Sequence, residues 1–303
     1  MEYTKVLKRA WHITWQHKTL WFFGFLLALF TSGTGGGGGR GVQYTVGPSD
    51  QLRPELVLGI VLFVIVLVLV VAIVATVLNN ISRGALIGMV GQVEETGETS
   101  VRSGWRIGSS RFWSLLGIDL VTVIPMIIIA IALITVALLP LVLGLGQRES
   151  LTALGILLTV LLMLGVVGLL IVAGVVLGIL REFAYRQCVL EGKGALDSIR
   201  GGYRMARQNL RHVGVVWLLL VGIDLAVGIV AIPLALVVFG LAAAPAAAIY
   251  AASKAIGPAL VAGILIAIPG ALLLALLGGV YLAFRSTTWT LAYRELQARS
   301  SLA

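Results

Sequence analysis

Cysteine, histidine and charge are scarce in this chain, and each shortage removes a class of chemistry. Cys188 is the only cysteine, so no disulfide forms within the chain. The three histidines, His12, His17 and His212, have no His-x-x-x-His spacing. His12 and His17 are five residues apart, a poor spacing for one helical face. There is no nucleophile elbow and no Cys–His couple. The glycine run at 35–39 ends without the Gly-Lys-Ser/Thr of a phosphate-binding loop. No catalytic residue, cofactor or metal is therefore expected. Charged residues make up 12% of the chain, half the roughly 25% of a soluble domain.

What is present in their place is apolar sequence. Of the 303 residues, 59% are hydrophobic, and the mean hydropathy is +1.05. Long apolar runs with this composition define the membrane class. Residues 1–18 are basic and hold Trp11 and Trp15, and 20–30 are apolar. This start resembles a secretory signal, yet no small-x-small cleavage pattern follows Phe30, so a retained anchor is expected. Eleven apolar residues cover only about 17 Å. The first span is therefore expected to extend back through the tryptophans, with His17 and Lys18 snorkelling to the interface. Further spans are expected near 56–78, 113–143, 151–180, 213–241 and 260–284. Between them lie a glycine-rich outer loop at 31–54, a polar connector at 92–111, a tight turn at 144–150, a strongly basic connector at 181–211 and an Ala-rich segment at 241–258 that reads as an outer loop, with a re-entrant or interfacial course as the alternative. The tail from 285 reads as polar and begins as a continuing helix. Gly174 and Gly178 form a small-x-x-x-small pair that lets helices approach closely.

Six spans put both termini on one side. Eighteen of the 22 Lys and Arg then share that side, against Arg40, Arg53, Arg148 and Lys254 on the other. Cytoplasmic loops carry the excess of Lys and Arg, so both termini are expected in the cytoplasm of a cell-membrane protein. The net charge of +9 follows from orientation and anionic head groups, with no nucleic acid required.

Three heptapeptides share one pattern: 7–13 (LKRAWHI), 101–107 (VRSGWRI) and 199–205 (IRGGYRM). Each reads apolar, basic, any, small, aromatic, basic or His, apolar. Each is followed by a span, an outer loop, a second span and a polar exit. Such spacing points to an internal repeat, although a basic, aromatic lead-in is common before any span. At 100° per residue, Ile199, Tyr203, Ala206 and Leu210 form one stripe, and Arg200, Arg204, Arg207 and Arg211 a second beside it. Val101, Trp105, Gly108 and Phe112 repeat the first, with Arg102 and Arg106 alongside. Helices of this kind lie in the interface with aromatic residues at head-group depth. Lys8, Trp11, Arg102, Trp105, Arg106, Arg200, Tyr203, Arg204, Arg207 and Arg211 are the expected head-group contacts. The expected fold class is all-α: six transmembrane helices as three hairpins, parallel pseudo-repeats each led by a basic amphipathic interfacial helix. One membrane domain covers 1–303, with units at about 3–98, 99–194 and 195–303.

Asp119 and Asp224 stand in the same tetrapeptide, Gly-Ile-Asp-Leu, inside the third and fifth spans. Counted from its heptapeptide, Asp224 lies seven residues further along than Asp119, close to two helical turns. Pro125 and Pro233 follow and leave the carbonyls of Val121 and Ile229 without their helical donors. A carboxylate in a span is a candidate functional site. Carboxylate and freed carbonyl together would suit a cation or proton path; a hydrogen bond to Ser, Thr or Arg on a neighbouring helix is the plainer alternative.

The stretches 181–183 (REF), 191–193 (EGK), 206–210 (ARQNL) and 289–296 (WTLAYREL) resemble a broad group of prokaryotic six-helix membrane proteins of unknown function, similar to the membrane domain fused to some glycerophosphodiester phosphodiesterases. The resemblance implies the fold and little chemistry, because the phosphodiesterase domain has no counterpart in this chain. The expected function is a non-enzymatic scaffold or accessory subunit. Its partners would be anionic lipid head groups and other membrane proteins or a second copy of itself. The competing expectation is a transporter or channel working through Asp119 and Asp224.

Overall fold

A computed structural model describes residues 2–31, 54–144 and 149–300. Among them are nine helices and no strand: α1 (Tyr3–Gln16), α2 (Thr19–Thr31), α3 (Pro54–Thr96), α4 (Val101–Ser110), α5 (Phe112–Gly144), α6 (Glu149–Leu190), α7 (Ala195–Gln208), α8 (Leu210–Ser253) and α9 (Ile256–Ser300). The glycine-rich loop and most of the 144–150 turn expected from sequence lie outside the described residues. The helices form two compact units, one of Met1–Phe112 with Leu218–Ala303, the other of Trp113–Trp217.

Five helices are long and apolar enough to cross a bilayer, within α3, α5, α6, α8 and α9. A chain this apolar becomes helical because hydrocarbon offers no partner for a free N–H or C=O. Their apolar windows are almost bare, with 0–6% of each window buried. The packed core therefore lies elsewhere. Helices α3, α6 and α9 have 43, 42 and 45 residues, about 63–68 Å at 1.5 Å per residue. That overruns a hydrocarbon layer of about 30 Å, and the overrun carries the core.

In the first unit, Val6, Ala10 and Ile13 of α1 and Leu20, Phe23 and Leu27 of α2 meet Ala85, Leu86, Met89 and Val90 of α3 and Ala283, Phe284 and Leu291 of α9. In the second unit, Phe183–Val189 of α6 are buried, Cys188 included, and α7 packs on α6 with Gly202 and Met205 inward. Each amphipathic helix thus lies on the C-terminal part of a long helix: α4 on α3, α7 on α6 and α1 on α9. The turns into α4 and α7 use glycine in the left-handed region, Gly97 at φ 76° and Gly192 at φ 73°, which costs glycine little. Ser100 then starts α4 with a capping box to Ser103.

Two expectations change. The first span does not run back through the tryptophans. The chain breaks at His17, whose N–H returns to Ile13, and the Trp21 indole holds the corner by donating to the Thr14 carbonyl at 2.8 Å. That leaves α2 with 13 residues, about 20 Å, short of a crossing. The Ala-rich segment 241–258 is not a loop. Alanine is the strongest helix former, so α8 passes through Pro245 to Ser253, and the break comes at Lys254, φ 54°. The polar tail continues α9 as expected, and part of it is packed: Thr287, Thr288, Trp289, Thr290, Leu291, Ala292, Tyr293 and Leu296 are buried.

Candidate functional site: two Asp–Arg–Tyr clusters and the basic helix faces

The shared heptapeptide has one geometry in α1, α4 and α7. Its small fourth residue points inward. Ala10, Gly104 and Gly202 are all buried. A Cβ on Gly104 would meet Met89 and Phe23, and one on Gly202 would meet the Ala184 backbone at 3.0 Å. At Gly108, one turn on, a Cβ would strike the Ile81 carbonyl. The small position exists so that the amphipathic helix can lie directly on its long partner. The apolar seventh residue follows it inward: Ile13 and Met205 are buried, and Ile107 covers Gly88.

The aromatic fifth residue faces out, with Trp11 55% exposed, Trp105 43% and Tyr203 55%. The buried stripe is thus turned away from the one expected through Trp105 and Tyr203, and Gly108 packs on protein. Trp11 and Trp15 meet at a tilt with 5.5 Å between centroids, and Trp15 meets Trp21 edge-to-face at 5.2 Å, giving an aromatic patch at the α1–α2 corner. Lys8, Arg102, Arg106, Arg200, Arg204, Arg207 and Arg211 are exposed. Among the described residues, none of them has a carboxylate within ion-pair reach. Other basic groups do: Arg9 pairs with Glu94 at 2.9 Å, Arg186 with Glu182 at 2.6 Å, and Arg294 with Glu95.

The two span aspartates lie in different units, each with its own partners. In the second unit, Asp119 of α5 accepts from Arg181 Nη2 and the Tyr185 hydroxyl of α6. Arg181 also reaches the Tyr185 oxygen from Nε at 3.0 Å and Nη2 at 2.7 Å. In the first unit, Asp224 of α8 accepts from the Tyr281 hydroxyl of α9, and Arg285 of α9 stands 3.7 Å away. In both, arginine and tyrosine are four residues apart on one face of the facing helix, in opposite order. Helices α5 and α8 continue through Pro125 and Pro233.

An arginine recurs at this level of all three long helices: Arg83, Arg181 and Arg285. In α3 it donates to Asn79 of its own helix at 2.7 Å, and α2 brings no carboxylate. A carboxylate held by a guanidinium and a phenol is a charge-compensated tie between two helices. The plainer alternative, an arginine on a neighbouring helix, is what both aspartates find; sequence reasoning did not single out Arg181 or Arg285, and it missed Tyr185 and Tyr281. The recurring exit arginine, with a tyrosine one turn away, was the available signal. The buried Arg186–Glu182 pair on α6 was equally unmarked. Arg186 is one of the eighteen basic residues counted on the side of the termini, and its side chain is 1% exposed.

His17, at the α1–α2 corner, has Nε2 3.1 Å from the Gly97 carbonyl, while Nδ1 is buried without a partner. Its pKa lies below the usual 6.5 because burial penalises the imidazolium.

Two open clefts adjoin these features. One, of about 1030 Å³, lies along α4 and is lined by Phe22, Ser100, Val101, Arg102, Ser103, Trp105, Arg106 and Ser109. The other, of about 420 Å³, runs between α5 and α6 from Thr122 to Arg181 along Gly174 and Gly178. A Cβ on Gly178 would meet nothing within 4 Å, and one on Gly174 only the Met126 methyl at 3.6 Å. Within this unit the small-x-x-x-small pair leaves a groove in place of a close helix contact.

Long apolar helices with bare flanks, polar ties inside the spans and basic, aromatic helices at their ends define a multi-pass α-helical membrane protein. Comparison agrees with that class: the chain belongs to DUF7544, a family of unknown function whose model matches residues 16–293. The family match makes no link to phosphodiesterase fusions. No curated protein and no solved structure matches the chain.

Proposed function

We propose that this protein is a non-enzymatic membrane scaffold, held in place by anionic lipid head groups at α1, α4 and α7, and offering its bare span faces to membrane-protein partners. The observation that carries the reading is the outer face of these helices. Among the described residues, α4 and α7 each show an exposed aromatic residue beside exposed arginines that no carboxylate pairs, and α1 shows exposed Trp11 with unpaired Lys8 one turn away, whereas Arg9, Arg186 and Arg294 each have a carboxylate partner. Uncompensated arginines flanking an exposed tryptophan match the phosphate and carbonyl levels of a lipid interface. The common packing of α4 on α3, α7 on α6 and α1 on α9 supports three repeated units, with α2 as a shortened first span. The charge asymmetry supports cytoplasmic termini in a cell membrane. In this reading Asp119 and Asp224 are helix ties, since an arginine already balances each charge.

The test is lipid selection by the purified protein in mixed nanodiscs. The wild type is expected to enrich phosphatidylglycerol over phosphatidylcholine. A variant with Arg102, Arg106, Arg200, Arg204, Arg207 and Arg211 all changed to Gln is expected to lose that enrichment. Equal lipid profiles for the two proteins would sink the reading. Asp119→Asn with Asp224→Asn is expected to leave liposome proton and cation flux unchanged. A flux present in wild type and lost in that pair would instead support the path.

A further inference from the structure

We propose that the cleft along α4 holds one anionic phospholipid, its phosphodiester on Arg102, Arg106 and the Trp105 indole, and its glycerol and upper acyl carbons against Phe22 and Val101. The proposal rests on the lipid-interface reading above and adds one saturable site to it.

Gly104 creates the cleft. Without a side chain, α4 sits against Met89 of α3 and Phe23 of α2. That contact brings Phe22, the next residue on α2, to the wall of the cleft, where it is exposed. The lining carries donors and no acid. Arg102 and Arg106 are one turn apart on the same face, about 6 Å along the axis. Like charges at that spacing repel, and neither has a carboxylate partner among the described residues. A shared anion between them removes the repulsion. The planar guanidinium forks suit phosphate oxygens in two-pronged hydrogen bonds, and the indole of exposed Trp105 carries a third donor group.

The serines are already engaged and add shape more than donors. Ser100 caps the helix, Ser103 donates to Gln92 at 2.8 Å, and Ser109 donates to the Arg106 carbonyl at 3.1 Å. A free phosphate would use only the arginines. The exposed Phe22 and Val101 beside them give the cleft an apolar half, and this favours a molecule with both an anionic head and a hydrocarbon body. At about 1030 Å³ the cleft has the size of a site for a whole ligand.

Native mass spectrometry of the full chain with dioleoyl phosphatidylglycerol tests this, with dioleoyl phosphatidylcholine as control. The wild type is expected to retain one phosphatidylglycerol per chain and to show saturable binding. Arg102→Gln with Arg106→Gln is expected to weaken that site by at least about tenfold. Arg200→Gln with Arg204→Gln on α7 removes the same charge; it is expected to lower general enrichment of anionic lipid while leaving the affinity of the α4 site within about threefold. Phe22→Ala, which keeps the charge, is expected to weaken phospholipid and leave competition by inorganic phosphate unaltered. Circular dichroism confirms that each variant is folded. A single bound lipid that survives the α4 double variant overturns the site. So does equal loss in the α4 and α7 variants, which leaves general enrichment of anionic lipid standing. Absence of any phosphatidylglycerol preference in the wild type overturns both.

Discussion

Adding one methyl group at Gly108 should destabilise the protein, although the same change in an open helix stabilises it. Replacing glycine by alanine inside a helix gains about 1 kcal/mol in helix propensity. At Gly108 the new Cβ would land on the Ile81 carbonyl, with Ala85 N at 3.1 Å. Both are backbone atoms of α3, so no rotamer change can relieve the contact. Helix α4 must move away from α3, which loosens the fit of Gly104 against Met89 and of Ile107 over Gly88. Overpacking of this kind costs about 1–3 kcal/mol. Because the obstruction is backbone, the upper part of that range applies, and the net loss after the propensity gain is about 1–2 kcal/mol.

Gly214 of α8 supplies the contrast. It is exposed, and a Cβ there would meet nothing within 4 Å. Gly214→Ala should therefore hold stability or raise it by up to about 1 kcal/mol. The two variants should move the unfolding midpoint in opposite directions when purified protein is unfolded by SDS titration in one detergent. Gly108→Ala at or above wild-type stability would refute the direct packing of α4 on α3.

Other outcomes follow from the same geometry. Tyr185→Phe and Tyr281→Phe each remove a hydroxyl that donates to a span carboxylate. Each should lower stability by about 1–2 kcal/mol, with no change in ion flux. Glu182→Gln removes the carboxylate charge that stands 2.6 Å from the Arg186 guanidinium, 1% exposed. Glu182 itself is 30% exposed, which admits water and limits the cost to about 2–3 kcal/mol, readable as a shift in the SDS midpoint. Burial holds the His17 pKa below 6.5, so the folded state binds fewer protons there than the unfolded state. Its contribution is complete above pH 6.5 and falls as the pH drops through the folded value. The thermal midpoint should decline as the pH is lowered below about 6.5, and His17→Gln should flatten that part of the decline.

The membrane class was open to reading from composition, because hydrocarbon leaves a long apolar run no structure but a helix. The amphipathic helices were legible too: an aromatic flanked by basic residues three times over is a local pattern. Its small fourth position was visible as a regularity but not as a contact. Ala10, Gly104 and Gly202 acquire meaning only when a second helix lies on them. The span count was less secure. The chain folds 3–31 as two short helices, with a hydrogen bond from Trp21 to a carbonyl seven residues back spanning the break.

Sequence alone therefore determined where this chain is apolar, which of its charges are isolated within a span and which short pattern recurs. These depend on neighbours within a few residues. Tertiary structure alone decided that the buried core lies in the overrunning ends of α3, α6 and α9 and not in the apolar spans. It also decided that Asp119 and Asp224 each meet an arginine and a tyrosine from another helix. The partners are 62 and 66 residues away for Asp119 and 57 for the Tyr281 contact of Asp224. A carboxylate in a span needs compensation, and this chain supplies it across that distance by folding one long helix back beside another.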